Sequence, residues 1–305
     1  MPTDSCFLVT GATGRLGCEI CQRLEGLGAR VLPLVLPGYP SQPKRVPWTA
    51  HTAPLVVNGS ADLAALPRPD YVLNLHWQVS RELPFTAQLL YETDNNLHQL
   101  AFLWDWLATQ APTRFVNLSS IKVFSHLNRN PITAATEARA LSPYGIVKLA
   151  AEAFFDSQLR SVDTEVVHLR LSSVAAYGEH PSQLMSQLYA SAFQRKAIQV
   201  NVGHSTALLY IEEAADLIIS AAFNAQERRY LVTPDSLPND VIARCFEQAA
   251  GRTLRAEYVD LAPGIHDPAF ISDIPKLAVD WVRRVSLTHM IARLIKQHQQ
   301  FSLST

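Results

Sequence analysis

The stretch TGATGRLG, residues 10–17, places three glycines three apart between an apolar run, CFLVT, and a segment with helical spacing. Few local architectures accept that arrangement. A strand that ends in a glycine turn and passes straight into a helix leaves the first helical N–H groups pointing outward, where a diphosphate can be held. Gly11 permits the tight turn, Gly14 lets backbone approach a ligand, and Gly17 allows the helix to pack closely on the strand. The expectation is a parallel α/β sheet whose first strand-loop-helix unit binds a dinucleotide.

The rest of the chain agrees with that beginning. Runs rich in β-branched residues at 6–10, 30–36, 54–57, 71–76, 114–119 and 165–171 alternate with helix-length segments at about 15–27, 87–110 and 143–160. Strands apolar on both faces and separated by helices predict a doubly wound α/β fold. Residues 1–172 are expected to form the dinucleotide-binding domain, with 201–235 returning to it through a helix and strand at 212–233. A smaller C-terminal substrate lobe is expected from 173–200 and 236–305. The proline-dense stretch at 37–54 reads as an extended loop.

Composition narrows the partners. The chain has 305 residues, 48% of them apolar, and a formal net charge of -1, so it can bury a large core and offers no global attraction to nucleic acid or anionic lipid. Small-molecule partners are favoured. No apolar run reaches the roughly 18 residues of a membrane span, and the N-terminus lacks the basic start of a signal peptide, so a cytoplasmic protein is expected. Four cysteines are too few for a disulfide scaffold. Cys18 and Cys21 form a C-x-x-C inside the predicted first helix, where they share a face with Leu24 and read as core. No metal site is expected.

The second strand bears on cofactor choice. It ends Val35-Leu36-Pro37, and no Asp or Glu occurs between Glu25 and Asp62. The carboxylate that binds the adenosine ribose of NAD is therefore absent. Arg15, Arg30, Lys44 and Arg45 offer cations to a 2'-phosphate, which favours NADP over NAD.

SPYGIVK, residues 142–148, supplies a candidate reactive pair. Ser142 can cap a helix that starts at Pro143, which puts Tyr144 in the first turn and Lys148 one turn later on the same face. At neutral pH only about one free tyrosine in a thousand is a phenolate. A neighbouring ammonium and the positive helix end are expected to lower that pKa. FVNLSS, residues 115–120, reads as another strand of the sheet, with Ser119 and Ser120 at its C-terminal end, where ligands of such sheets bind.

Together these motifs resemble the extended short-chain dehydrogenase/reductases of the epimerase and dehydratase type. The matching segments are the glycine loop, DNNL (94–97), SSIKVF (119–124), YGIVK (144–148), HLRLSSV (168–174), LLYIEEAAD (208–216) and DIPKLAVDW (273–281). The resemblance implies a Rossmann fold, with Ser120 as catalytic serine, Tyr144 as acid/base, and Lys148 as the group that contacts the nicotinamide ribose. It implies cofactor contacts from Gly11, Thr13, Gly14, Arg15, Leu16, Gly17, Leu36, Leu75, His76, Trp77, Asn96 and Leu171. Substrate contacts fall by the same likeness to Gln78, Ser80, Ile121, Lys122, Ser172, Ser173 and Thr206. It also implies a homodimer paired through the helices at 89–110 and 150–159, where Leu100, Leu103, Trp104, Leu107, Phe154 and Phe155 look like surplus apolar surface. The activity implied is hydride transfer at a secondary alcohol or ketone of a small sugar-like molecule, with a cofactor-retaining epimerase or a non-catalytic dinucleotide sensor as alternatives.

Three departures qualify the likeness. Ile121 and Lys122 stand where sugar dehydratases carry Asp-Glu, and Thr206 where nucleotide-sugar enzymes carry an arginine for the diphosphate. His76 and Trp77 stand where small residues usually line the cofactor. His76 reads as a packed strand-end histidine, with substrate contact as the alternative.

Overall fold

The computed structural model describes residues 5–36, 50–128, 130–176, 180–260, 267–278 and 285–304. Strands β1 (Cys6–Thr10), β2 (Arg30–Val35), β3 (Leu55–Val56), β4 (Tyr71–Asn74), β5 (Arg114–Ser120) and β6 (Glu165–Leu171) follow in chain order. Among them lie helices α1 (Arg15–Gly26), α2 (Ser60–Ala64), α3 (Phe85–Thr93), α4 (Ala101–Gln110) and α5 (Pro143–Arg160). Next come β7 (Ser173–Ala175), α6 (Leu184–Gln194), β8 (Ile198–Asn201), β9 (Ser205–Thr206), β10 (Leu208–Tyr210) and α7 (Ile211–Asn224). The chain continues with β11 (Arg229–Val232), β12 (Leu237–Pro238), α8 (Asn239–Ala250), β13 (Ala256–Val259), α9 (Ile274–Leu277) and α10 (Leu287–Ser304).

Seven parallel strands form the main sheet in the order β11-β6-β5-β4-β1-β2-β3. The fold is doubly wound α/β, as expected. Strand order reverses between β1 and β4, so the ligand crevice lies at the C-terminal ends of those strands. β1 alternates in the manner of a two-sided strand: Phe7 and Val9 pack with Ile20, Leu24 and Ile218 on one face, and Leu8 packs with Trp104 and Phe155 on the other. A third apolar cluster, with Met185, Leu188, Val200, Ile242, Phe246 and Leu294, joins α6, β8, α8 and α10.

Two elements differ from expectation. The strand predicted at 71–76 stops at Asn74 because the N–H groups of Leu75 and His76 turn to Thr10 Oγ1, each at 3.2 Å. The helix predicted at 87–110 is two helices joined by a π turn, Asp94–His98. Thr93, Asn95 and Asn96 side chains donate to the carbonyls of Leu89, Tyr91 and Glu92, four residues back, at 2.8, 2.8 and 2.7 Å. That competition for helix acceptors accompanies the wider turn, in which Gln99 N–H reaches Asp94.

All but Phe154 of the apolar residues cited for a dimer are used inside the chain. Leu100, Leu103, Trp104, Leu107 and Phe155 are all buried in its own core, so they supply no surplus. Cys18 and Cys21 are buried as expected, and neither forms a disulfide. Lys44, Arg45 and residues 37–49 of the proline-dense loop, with residues 279–281 of the last motif, lie outside the described residues. Among the described residues no helix is long and apolar enough to cross a membrane.

A row of polar side chains crosses the middle of this apolar sheet. Thr10, Asn74, Asn117 and His168 are Cα partners on β1, β4, β5 and β6, and none is more than 3% exposed. Thr10 donates to Asn74 at 2.7 Å, Asn74 to Asn117 at 3.0 Å, and Asn117 pairs with His168 Nδ1 at 3.2 Å. The other ring nitrogen of His168 meets Asp156 of α5 at 3.2 Å. Beside it Glu152 is enclosed by Arg170 at 2.8 Å, Arg229 at 3.2 Å and Ser119 at 2.6 Å. Buried charge is satisfied on every side there, and α5 is pinned against β5 and β6.

Candidate active site

Sterics dictate the glycine loop. Gly11 has φ +65°, and a Cβ on it would lie 2.9 Å from the backbone of His76, so only glycine lets the loop run against the end of β4. A Cβ on Gly17 would lie 2.3 Å from the Gly11 carbonyl. No side chain caps α1, and its first turn carries no acid, so its leading N–H groups suit an anion. Those features fit the diphosphate of a dinucleotide. Leu36, just beyond β2, is buried and apolar, so the ribose end finds no carboxylate there. Arg15 lies within electrostatic reach of His298 on α10, a neighbour that sequence spacing did not reveal.

The second half of the site is built on β5 and α5. Ser142 caps α5 as expected, accepting from Gly145 N–H at 3.1 Å, with Pro143 in the first turn. A Cβ on Gly145 would fall 2.1 Å from the Lys122 carbonyl, so the start of α5 rests directly on the 3₁₀ turn Ile121–Val123 that follows β5. Tyr144 is thereby brought near Ser120, whose hydroxyl favours the phenolate and accepts from Lys122 N–H at 3.2 Å. Strand alternation separates the two serines. Ser119 points the other way and is consumed by Glu152, which leaves Ser120 as the serine of the crevice.

Lys148 is buried at 4% exposure, donates to the Leu118 carbonyl at 2.7 Å, and sits 3.6 Å from the centroid of the Trp77 ring. It is 5.8 Å from the centroid of the Tyr144 ring. Burial pushes Lys148 down to about 7, against the pull of Glu92 and Glu152. Burial, with the charge of Glu92, pushes Tyr144 up to about 12, while Ser120 and Arg81 act in the opposite direction. The tyrosine's value is thus raised in this arrangement, with burial as the largest cause. The ammonium bonds the Leu118 carbonyl and faces the Trp77 ring, and the charge that adds to the effect of burial is the Glu92 carboxylate. His76 is held at about 4 by burial and by Lys148, so it is neutral at pH 7.

The remaining expected residues fall into three groups. Asn96 clamps Gln78, accepting from its N–H at 2.7 Å and donating to its carbonyl at 2.8 Å, and so ties the loop after β4 to the π turn. Leu75, Gln78 and Ser80 follow β4, while Leu171, Ser172 and Ser173 follow one another at the end of β6 and the start of β7. Thr206 lies on β9 and donates to Asn239 of α8 at 2.7 Å. Sequence reasoning missed Glu92 and Arg81. Glu92 is fully buried, accepting from Gln88 at 2.7 Å and from Trp77 Nε1 at 3.1 Å. Arg81 reaches Ser182 Oγ at 3.1 Å across the mouth and is felt by both Glu92 and Tyr144. The spacing of Glu92 four residues before Asn96, on one helix face, was the available signal.

A family model described as the NAD dependent epimerase/dehydratase family matches residues 7–232. No curated protein matches the sequence. Solved structures share the fold at low identity. A UDP-N-acetylglucosamine 4-epimerase from Methanobrevibacter ruminantium M1 with UDP-N-acetylmuramic acid superposes with TM-score 0.82 at 18% identity, over 97% of this chain and 99% of that one. A UDP-glucose 4-epimerase from Stenotrophomonas maltophila, with NAD and a formylated UDP-arabinopyranose, gives 0.82 at 19% identity, over 99% and 100%. One from Thermotoga maritima with UDP-glucose gives 0.80 at 16% identity, over 98% and 99%.

Proposed function

Since the chain belongs to the NAD dependent epimerase/dehydratase family, we propose that it is an enzyme moving hydride between a nicotinamide dinucleotide and a secondary alcohol or ketone of a small sugar-like substrate. The observation that carries this reading is the juxtaposition of Ser120, the last residue of β5, with Tyr144 in the first turn of α5 and Lys148 one turn further along it. The dinucleotide, when bound, supplies or accepts the hydride. Ser120 holds the reacting oxygen, and Tyr144 gives that oxygen its phenolic proton as a carbonyl becomes an alcohol. A phenol held near 12 stays protonated at neutral pH, which suits the reductive direction. Lys148 supplies charge at the nicotinamide ribose. In this reading the described residues of 173–200 and 236–305 make up the lobe that receives the substrate, and Gln78, Ser80, Ile121, Lys122, Ser172, Ser173 and Thr206 are its substrate contacts.

NAD is the dinucleotide that the family description names. NADP is our reading for this chain, because Leu36 occupies the place of the ribose-binding carboxylate and Arg15 lies in the loop itself. One charge-assisted bond corresponds to about ten- to a hundredfold in affinity. Titrating both dinucleotides at fixed salt is expected to show NADP bound at least about tenfold more tightly. A preference for NAD overturns this assignment. Turnover is tested by following nicotinamide absorbance against a panel of sugar alcohols and ketones. Tyr144→Phe is expected to keep dinucleotide binding and lose at least about a hundredfold in rate. Near-normal turnover in that variant rejects the mechanism, and change of configuration without net dinucleotide turnover identifies an epimerase.

A further inference from the structure

The reactive centre contains a carboxylate that the proposed function does not use. Glu92 of α3 is fully buried. Gln88 donates to one of its oxygens at 2.7 Å and the Trp77 indole N–H to the other at 3.1 Å. The same indole lies with its face 3.6 Å from the Lys148 ammonium, and its ring meets that of Tyr144 edge-on at 6.2 Å. A carboxylate fixed by two donors cannot swing away, and an indole fixed by a carboxylate cannot rotate off the ammonium. We propose that Glu92 is a positioning residue of the reactive centre, which acts through Trp77 to hold Lys148 in place and supplies the negative charge that Lys148 and Tyr144 both face. This inference rests on the reading of Tyr144 and Lys148 given above.

Two features show that the arrangement is a unit. Trp77 and Glu92 come from separate elements, the loop after β4 and the last turn of α3, yet the indole N–H meets the carboxylate while the ring face meets the Lys148 ammonium. Asn96, one turn beyond Glu92, clamps Gln78, the residue after Trp77, so the loop and the helix are joined twice. The electrostatics follow the geometry. Glu92 favours the charged form of Lys148 and disfavours the phenolate of Tyr144. The other charged or titratable groups facing the pair are Glu152 on α5, His76 beyond β4, and Arg81 in the following loop. None of them takes over both effects, since Glu152 is already enclosed by Arg170 and Arg229.

The test reads Lys148 directly and needs neither substrate nor dinucleotide. Protein labelled with ¹³C-lysine is titrated by NMR, the Lys148 Cε signal being assigned from its loss in Lys148→Met. In the unsubstituted protein this signal is expected to titrate at about 7. Removing an opposite charge at close range moves a pKa by about 1–3 units, so in Glu92→Gln the midpoint is expected to fall by at least about one unit. Glu92→Asp, which keeps the charge, is expected to stay nearer the original value. Trp77→Phe, which keeps a ring face but loses the N–H, is expected to move the midpoint in the direction of Glu92→Gln by a smaller amount, and it serves if Glu92→Gln does not fold. An unmoved midpoint in Glu92→Gln, or equal shifts in Gln and Asp, overturns the proposal. Failure to bind any dinucleotide would sink the proposed function and leave this measurement standing.

Discussion

Position 145 is glycine because of something outside its own helix. Its missing side chain leaves room for the Lys122 carbonyl, which a Cβ would approach to 2.1 Å, and the neighbouring residue is Tyr144. Gly145→Ala is therefore expected to push α5 off the turn after β5, costing about 1–3 kcal/mol in urea unfolding and separating Tyr144 from Ser120. An unchanged midpoint would show that the carbonyl yields. Lys148 gives a pH prediction with a definite sign. Its folded value is about 7 against an ordinary 10.5, so between those values the unfolded chain binds more protons, and this group makes stability rise with pH across that window. Tyr144, raised from 10.0 to about 12, makes stability fall as pH climbs between those two values. Melting temperature followed from pH 7 to 10 is expected to lose part of its upward slope in Lys148→Met; an unaltered slope would place the lysine's titration elsewhere. The spacing SPYGIVK was enough to find Tyr144 and Lys148 and the Ser142 cap. It could not show which charge the tyrosine faces, because Glu92 arrives from another helix, about fifty residues earlier in the chain.

Among elements, the π turn is the instructive one. The spacing of Leu100, Leu103, Trp104 and Leu107 is helical and continuous with α3, so the pattern reads as a single helix. What divides it is local chemistry, with Thr93, Asn95 and Asn96 competing for the carbonyls behind them. The break turns Asn96 toward Gln78, where it serves both backbone groups of that residue. Asn96→Leu leaves both without their partner, at about 1–3 kcal/mol for each buried group. It is expected to lower the unfolding midpoint and weaken dinucleotide binding together, since Gln78 adjoins Trp77. Loss of stability with binding intact would confine Asn96 to a scaffold role. The strands were easier to read, since apolar runs buried on both faces leave little choice except a parallel sheet, and β1, β6 and α5 lie where the pattern put them.

At the scale of the whole molecule, most of the residues expected to pair two copies are inside one. What remains on the α3–α5 side includes Phe85 and Leu90, 53% and 65% exposed, with Phe102, Trp106 and Phe154 partly covered at the edge of the core. If a homodimer forms through this side it must use these. Sedimentation at micromolar concentration is expected to give twice the chain mass, and Leu90→Glu with Trp106→Glu the single mass; a monomer in the unsubstituted chain ends the idea. Apolar periodicity announces that a helix has a buried face but not whose atoms bury it, which is why the sequence was ambiguous here. The polar row through the sheet was equally invisible, since Thr10, Asn74, Asn117 and His168 are scattered along the chain and only strand order aligns them. Its links join residues 64, 43 and 51 apart, so no local segment can complete any of them. A chain that docks β4 or β5 one step out of line, or in the wrong order, seals amides and an imidazole into hydrocarbon with nothing to bond, at about 1–3 kcal/mol each. The row therefore sets the complete, correctly ordered set of strands apart in energy from its mispaired rivals.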